Sequence, residues 1–346
     1  MKVLMVTPSF FPKIGGVEKH VLEVAKILEN KVDLEILVIS KNNKYQTNKF
    51  LTKTKISRWN SINFSFVNIL YIPIKVFLNT KKILKNDVIH VNDFLLFFYF
   101  ILPIYPLLKL FNIKLITTFH GWEGDFLPKK RNIILRKIVQ LLSSKSFIVG
   151  EFIRKWYKTG PSPINIYGGV SKKKIKLKKE NLLLFIGRLE EDTGCKFILK
   201  LLMEFHRKNE NYKSYFLGDG SLKESLKLEV NKNNIKSIHF KGNVNDVDKY
   251  LKKSNIVFSS GYLGILEALS WGCHVISTYN NELKKDYLMG FNKINDNILS
   301  IFDETNSDNK ISIERMIKTK INKKGIEISN KNNWTRVTDI FIKYYK

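Results

Sequence analysis

Short apolar runs of strand length, each followed by a loop and then by a stretch of helical period, recur along this chain. The first set is KVLMVT (2–7), the loop PSFFPKIGG (8–16) and VEKHVLEVAKILE (17–29). In the last of these, Val17, Val21, Val24, Ala25 and Leu28 return at helical spacing. VDLEILVIS (32–40) is the next strand-length run. Strand, glycine loop, helix and strand make a βαβ unit, whose strands lie parallel and are joined by a right-handed crossover. DVIHVND (87–93), KLITTFHG (114–121), SFIVG (146–150) and INIYGGV (164–170) continue the alternation. The lysine-rich SKKKIKLKKE (171–180) interrupts it and reads as a linker. NLLLFIGRL (181–189), KSYFLGDG (213–220), IHFKGNV (238–244), NIVFSS (255–260) and HVIST (274–278) then restart it, and NWTRVTDIFIKYYK (333–346) closes the chain as an amphipathic helix.

The expected fold class is therefore α/β, with two Rossmann-like, doubly wound domains at 1–172 and 173–328. A closing helix at 329–346 is expected to return to the first domain. A chain of 346 residues is long enough for two such cores. In open parallel sheets ligands bind at the strand C-termini, so the function is expected in a cleft where loops of both domains face each other.

Composition narrows the partners. The chain carries 59 Lys+Arg against 31 Asp+Glu, a net charge of +28. That excess is either a lysine-rich compositional bias or an attraction for something anionic, such as a nucleotide, a lipid phosphate or a membrane surface. No zinc-ligand spacing, RNP-like sequence or basic zipper accompanies it, so nucleic acid is not an expected partner. Two cysteines, Cys195 and Cys273, are too few for a disulfide framework or a zinc site. Pro8 and Pro12 break the N-terminal apolar run, which lacks a secretory cleavage pattern, and a cytoplasmic location is expected. FLLFFYFILPIYPLLKLF (94–111) is nearly long enough to cross a bilayer, but Pro103 and Pro106 interrupt it and a strand follows at once. A helix packed on the sheet explains it better than a span.

Several landmarks now fall in order: GGVEKHVLEVAKIL, DVIHVND, TTFHG and GGV in the first half, then FIGRLEEDTG, GDG, FKGNV and SSGYLGILEALSWGCHVIS in the second. With these landmarks the chain resembles a family 4 glycosyltransferase of the GT-B fold over nearly its whole length. The resemblance implies transfer of a sugar, with retention of configuration, from a nucleoside-diphosphate donor such as a UDP-sugar or GDP-mannose. It implies no cofactor and no metal. The acceptor is expected to be a glycan or a lipid-linked hydroxyl in cell-surface glycan, lipopolysaccharide or glycolipid synthesis. The basic surface and the apolar runs 62–85 and 94–111 suggest peripheral contact with an anionic membrane at its cytoplasmic face. Two alternatives stay open: a non-catalytic nucleotide-sugar-binding homologue, and a GT-B sugar-nucleotide epimerase.

The site residues follow position by position. In SSGYLGILE (259–267) a helix start offers unpaired N–H groups and a positive dipole end to a diphosphate, while Gly261 and Gly264 let the backbone approach it. The donor-binding set here is Ser259, Ser260, Gly261, Tyr262, Leu263, Gly264, Ile265 and Glu267. The resemblance gives Glu267 the ribose hydroxyls, as the second glutamate of an E-x7-E pattern. The first glutamate falls on Ser259, one neutral oxygen where two charged ones are usual. In GRLEEDTG, Arg188 matches the family's diphosphate-binding arginine, but its lysine partner five residues on is Thr193, with Lys196 the nearest substitute. His120 is expected at the sugar, Trp122, Glu123 and Glu18 on the acceptor side, and Gly15 and Gly16 near the donor phosphates. His120, Arg188 and Glu267 are the candidate catalytic residues. The GG pair is short of a G-x-G-x-x-G fingerprint and no acidic residue ends the next strand, which disfavours dinucleotide oxidoreduction. Asp246 and Asp248, in DVD, are read as helix-capping residues, and no histidine pair has metal-ligand spacing.

Overall fold

The structure, a computed structural model, describes residues 1–13, 15–40, 50–60, 66–121, 123–124, 126–173, 179–306, 313–318 and 321–346. These form two compact units, one of Met1–Tyr167 with Trp334–Lys346 and the other of Gly168–Asn333. The sequence put the divides at 172/173 and 328/329. The chain leaves the first unit earlier because Val170 already bridges to Asn333 in parallel, its N–H donating to Asn332 O at 3.0 Å.

The strands of the first unit are β1 (Lys2–Thr7), β2 (Asp33–Ser40), β3 (Lys55–Asn60), β4 (Val88–Val91), β5 (Lys114–Phe119), β6 (Lys145–Ile148) and β7 (Ile164–Asn165). They form a parallel sheet in the order β3-β2-β1-β4-β5-β6-β7. Helices cover both faces of such a sheet, so its central strands are apolar at consecutive positions, with Val3, Val6, Val88 and Ile89 fully buried. Residues 94–110 are helical throughout, but the winding loosens to a π turn at Phe97–Ile101 and tightens to a 3₁₀ turn at Leu102–Ile104 before Tyr105–Leu110. Pro103 and Pro106, which lack an N–H to donate, fall at these changes of winding. Asp93 caps the start, its carboxylate accepting from Leu95 N at 2.7 Å and Leu96 N at 2.9 Å. Phe97, Phe100, Ile101, Ile104 and Leu108 are buried, and among the described residues no helix is long and apolar enough to cross a membrane.

The closing helix, Trp334–Tyr345, belongs to the first unit. It buries Trp334, Val337, Thr338, Phe341 and Tyr345. Phe341 meets Phe147 edge to face at 4.8 Å, and Tyr345 Oη lies 2.6 Å from His90 Nδ1.

The second unit repeats the plan with β8 (Leu182–Ile186), β9 (Lys213–Leu217), β10 (Ile238–Gly242), β11 (Ile256–Phe258), β12 (His274–Tyr279) and β13 (Ser300–Asp303). The order is β10-β9-β8-β11-β12-β13, again parallel. Phe185 and Phe240 stack on either side of Phe216, at 5.2 and 4.9 Å, against Ile198, Leu199 and Leu202 of the helix Cys195–Lys208. Each such side chain contributes about 1.5–3 kcal/mol of burial, so the core fixes the strand ends and the loops above them.

Candidate functional site

In the second unit β8 has β9 on one side and β11 on the other, so the chain order reverses between β8 and β11. The loops leaving these two strands emerge side by side, which is where ligands settle in doubly wound sheets. They are GRLEEDTG (187–194) and SSG (259–261).

The first loop is tied down by its own polar atoms. Leu189 N donates to Asp219 O at 2.9 Å, and the Glu190 carboxylate accepts from Ser221 N at 2.9 Å and Ser221 Oγ at 2.6 Å. Thr193, at the expected lysine position, is buried, its hydroxyl 2.9 Å from Arg188 O and 2.7 Å from Glu190 O. It therefore braces the loop from within. Arg188 points outward with 67% of its side chain exposed and donates from Nη2 to Asp192 Oδ2 at 2.7 Å. Lys196 pairs with Glu191 on the surface. Exposed pairs of this kind are weak and exchange readily for a better anion.

The second loop runs into the helix Tyr262–Ser270, with Gly261 as an extended N-cap that supplies no side-chain bond. The helix start is held from the neighbouring helix Glu282–Ile294: Tyr287 Oη accepts from Tyr262 N at 2.9 Å, Tyr262 Oη donates to Tyr287 O at 2.8 Å, and the two rings stack at 3.8 Å. The amides of Leu263 and Gly264 follow in the first turn, where N–H groups have no partner within the helix. Ile265 N already closes onto Gly261 O at 2.9 Å, and its side chain is buried. Glu267 lies half-buried in the second turn. Ser259 is 2% exposed and packs under Gly264, where an added Cβ would sit 2.5 Å from Ser259 Oγ. The serine thus occupies the space beneath the helix.

Ser260 joins the two loops. Its hydroxyl reaches Thr193 O at 3.4 Å, and its carbonyl accepts from Lys284 Nζ at 2.7 Å. Lys284 is 7% exposed, and its ammonium lies 4.5 Å from the centre of the Tyr287 ring. Burial lowers its pKa to about 8, with Arg188 acting the same way and Asp192 and Glu304 opposing.

The first unit has its own reversal, at β1 and β4. Gly15 caps the helix Gly16–Leu28, and a Cβ there would fall 2.3 Å from Glu18 Oε2, because the Glu18 side chain folds back over the helix start. Glu18 is 8% exposed in that position, whereas Gly16 has open space around it. His120 follows β5, half-buried, with Nε2 3.1 Å from Asn92 Oδ1 in the loop after β4. An amide oxygen only accepts, so the neutral ring carries its proton on Nε2 and leaves a lone pair on Nδ1. Burial, assisted by His20, His90 and Arg136, holds His120 well below the usual histidine range. The His20 ring meets it edge-on at 4.9 Å. Glu123 accepts from Arg136 Nη2 at 2.8 Å and from Tyr157 Oη at 2.5 Å. Burial works to raise its pKa, but these partners overcome that and hold it below the usual carboxylate range. Trp122 lies outside the described residues. Asp246 Oδ1 accepts from Lys249 N at 3.2 Å, a capping bond at the start of the helix Asp248–Leu251, while Asp248 binds Trp271 Nε1 at 2.7 Å and Lys173.

Sequence reasoning missed Lys284 and Arg136, and both had a signal. Lys284, Leu288 and Phe291 share one buried stripe of a helix, as do Asn132, Arg136 and Val139 of the helix Lys130–Leu142. A cation on a buried stripe needs a reason.

Two family models match, Glycosyl transferases group 1 over residues 170–288 and Glycosyltransferase Family 4 over residues 14–164. One relative, from Campylobacter jejuni, is named GalNAc-α-(1→4)-GalNAc-α-(1→3)-diNAcBac-PP-undecaprenol α-1,4-N-acetyl-D-galactosaminyltransferase. It is 32% identical over 114 residues, 31% of this chain and 32% of that protein. Another, an uncharacterized glycosyltransferase of Methanocaldococcus jannaschii, is 30% identical over 256 residues, 61% of each chain. This chain thus spans about a third and about three fifths of the two curated relatives it matches. Among solved structures, HepE of Anabaena in complex with UDP and glucose superposes with a TM-score of 0.71 at 13% identity, covering 99% of both chains. Two parallel Rossmann-like sheets with such a neighbour define the two-domain α/β GT-B class. Within it, the chain belongs to glycosyltransferase family 4.

Proposed function

We propose that this protein transfers a sugar from a nucleoside-diphosphate donor to an acceptor hydroxyl, with retention, in the synthesis of a lipid-linked or cell-surface glycan. The observation that carries the reading is the chain reversal of the second unit. There an outward Arg188 lies on one loop, and the adjacent loop leads into a glycine-flanked helix start with Glu267 in its second turn. An exposed guanidinium and first-turn amides suit a diphosphate, and a carboxylate one turn further on suits ribose hydroxyls. The solved neighbour that holds UDP and glucose, and the relative named for an undecaprenol-linked substrate, support the donor and acceptor classes.

In this mechanism Arg188 and the amides of Leu263 and Gly264 stabilise charge as it gathers on the leaving diphosphate. The leaving phosphate takes the acceptor's proton. His120, kept neutral by burial, contacts the sugar without adding a charge that would oppose an oxocarbenium-like centre. No metal or cofactor enters the scheme. Glu18, Trp122 and Glu123 belong to the acceptor side. An anionic membrane surface is the proposed location of a lipid-linked acceptor. Ile134, Ile138 and Leu141 are exposed on one helix beside Lys130, Arg131 and Lys137, and Leu70, Ile74 and Phe77 are exposed on another.

Turnover tests the reading. Hydrolysis or transfer from a UDP- or GDP-sugar is expected, falling about 100-fold in Arg188→Ala and Glu267→Ala. Nucleotide binding without turnover in any donor and acceptor combination would favour the non-catalytic reading, which Thr193 and Ser259 motivate.

A further inference from the structure

The diphosphate reading leaves one charge unaccounted for. The lysine expected at 193 is a threonine whose hydroxyl closes the loop on itself. On the same two loops, a different cation is buried. Lys284 comes from the helix Glu282–Ile294, and its ammonium donates to Ser260 O at 2.7 Å. The Ser260 hydroxyl in turn meets Thr193 O at 3.4 Å. One serine therefore connects the ammonium to the loop that carries Arg188. The Tyr287 ring, 4.5 Å from the ammonium, belongs to the tyrosine whose hydroxyl accepts from Tyr262 N at the helix start. The lysine thus lies just beneath the proposed diphosphate cradle, at 7% exposure.

We propose that Lys284 is a positioning residue for the nucleoside diphosphate, supplying from beneath the 259–264 loop the positive charge that position 193 lacks. This rests on the donor reading given above. The residue acts in two ways. It fixes the Ser260 carbonyl, and with it the loop that sets the direction of the Leu263 and Gly264 amides. It also places a charge in a poorly solvated spot, where its field on a nearby anion is screened less than that of a surface lysine.

The charged groups acting on Lys284 are Asp192 and Arg188 from the loop after β8, and Glu304 from the end of β13. Arg188 is engaged with Asp192, and burial raises the Glu304 pKa above its usual range. Burial also brings the ammonium down to about pKa 8, so its charge can be titrated while a nucleoside diphosphate stays fully ionised.

The test is calorimetric binding of UDP, GDP and ADP, with uridine, guanosine and adenosine as controls, from pH 7 to pH 9. The proteins are the wild type, Lys284→Met and Lys284→Arg. At pH 7, Lys284→Met is expected to weaken the preferred diphosphate about tenfold while leaving its nucleoside unchanged, the size of one charge-assisted contact. Wild-type affinity is expected to fall severalfold towards pH 9 and to approach that of Lys284→Met, which stays flat. Lys284→Arg, charged throughout, is expected to bind well at both ends of the range, and it carries the test if Lys284→Met folds poorly. Unchanged diphosphate affinity in Lys284→Met, parallel loss of diphosphate and nucleoside, or a wild-type affinity independent of pH would each overturn the inference alone. If the wild type binds no diphosphate, the donor reading falls and this inference with it.

Discussion

Gly264→Ala probes the packing beneath the helix start. The new methyl carbon would stand 2.5 Å from Ser259 Oγ, a separation that real Cβ contacts essentially never show, with Ser259 Cβ at 3.5 Å and Ile186 Cγ2 at 3.7 Å as the next neighbours. Ser259 is anchored through its N–H to Ile276 O at 3.1 Å and through its carbonyl to Ser277 Oγ at 2.6 Å, so its backbone cannot retreat cheaply. Overpacking of this kind costs about 1–3 kcal/mol. Alanine returns at most about 1 kcal/mol of helix propensity. The net expectation is a loss of about 1–2 kcal/mol, or about 3–6 °C in Tm for a unit of this size. Ser259→Ala removes the clashing oxygen and leaves only ordinary contacts, so the double variant should recover at least about 1 kcal/mol of that loss. Urea and thermal unfolding followed by tryptophan fluorescence would measure the four corners of this cycle. The reasoning fails if Gly264→Ala is as stable as the wild type, or if Ser259→Ala gives no relief in the double variant.

Acid should loosen the first unit through its buried histidines. Burial holds His20 at about 4 in the folded state against 6.5 when free, so the unfolded chain binds more protons between those values and stability falls as pH drops through that window. Between pH 7 and pH 5 His20 alone accounts for about 2 kcal/mol, and His20→Phe should flatten the Tm-versus-pH curve there. Around Arg136, which is 2% exposed and faces the Tyr157 ring at 3.9 Å, Glu123→Gln removes the countercharge while keeping the shape. It is expected to destabilise by about 2 kcal/mol, and Arg136→Leu in the Glu123→Gln background should restore part of that, as read by chemical denaturation.

The architecture was legible because its signals are local. Consecutive apolar residues such as Val3–Val6 and Leu182–Phe185 mark strands buried on both faces, and Val17, Val21, Val24 and Leu28 mark the first crossover helix. The loops of the candidate site were legible for the same reason, since each glycine-bearing loop directly follows a strand. Contacts made across the fold were not. Nothing near His120 in sequence announces Asn92 or the His20 ring, which the sheet order brings to it. The sequence also left the role of Thr193 open, because two bonds within the loop, rather than any nearby charge, explain that residue. The divide between the units was misjudged by several residues because lysine content marks solvation, whereas the pairing of Val170 with Asn333 marks where the second unit begins.

The stacked Tyr262 and Tyr287, with their exchanged hydrogen bonds, bear on the thermodynamics of the site. A loop of two serines and a glycine leading into another glycine would, alone, sample many backbone states, and fixing each residue costs about 1–2 kcal/mol. The tyrosine clamp moves that ordering from the binding step to the folding step. Under the proposed function, a diphosphate would meet amides already aimed at it, so little of its binding free energy would be consumed in arranging the receptor. On that reading the clamp would be a source of affinity, in a proposed cradle that has a threonine where a lysine was expected.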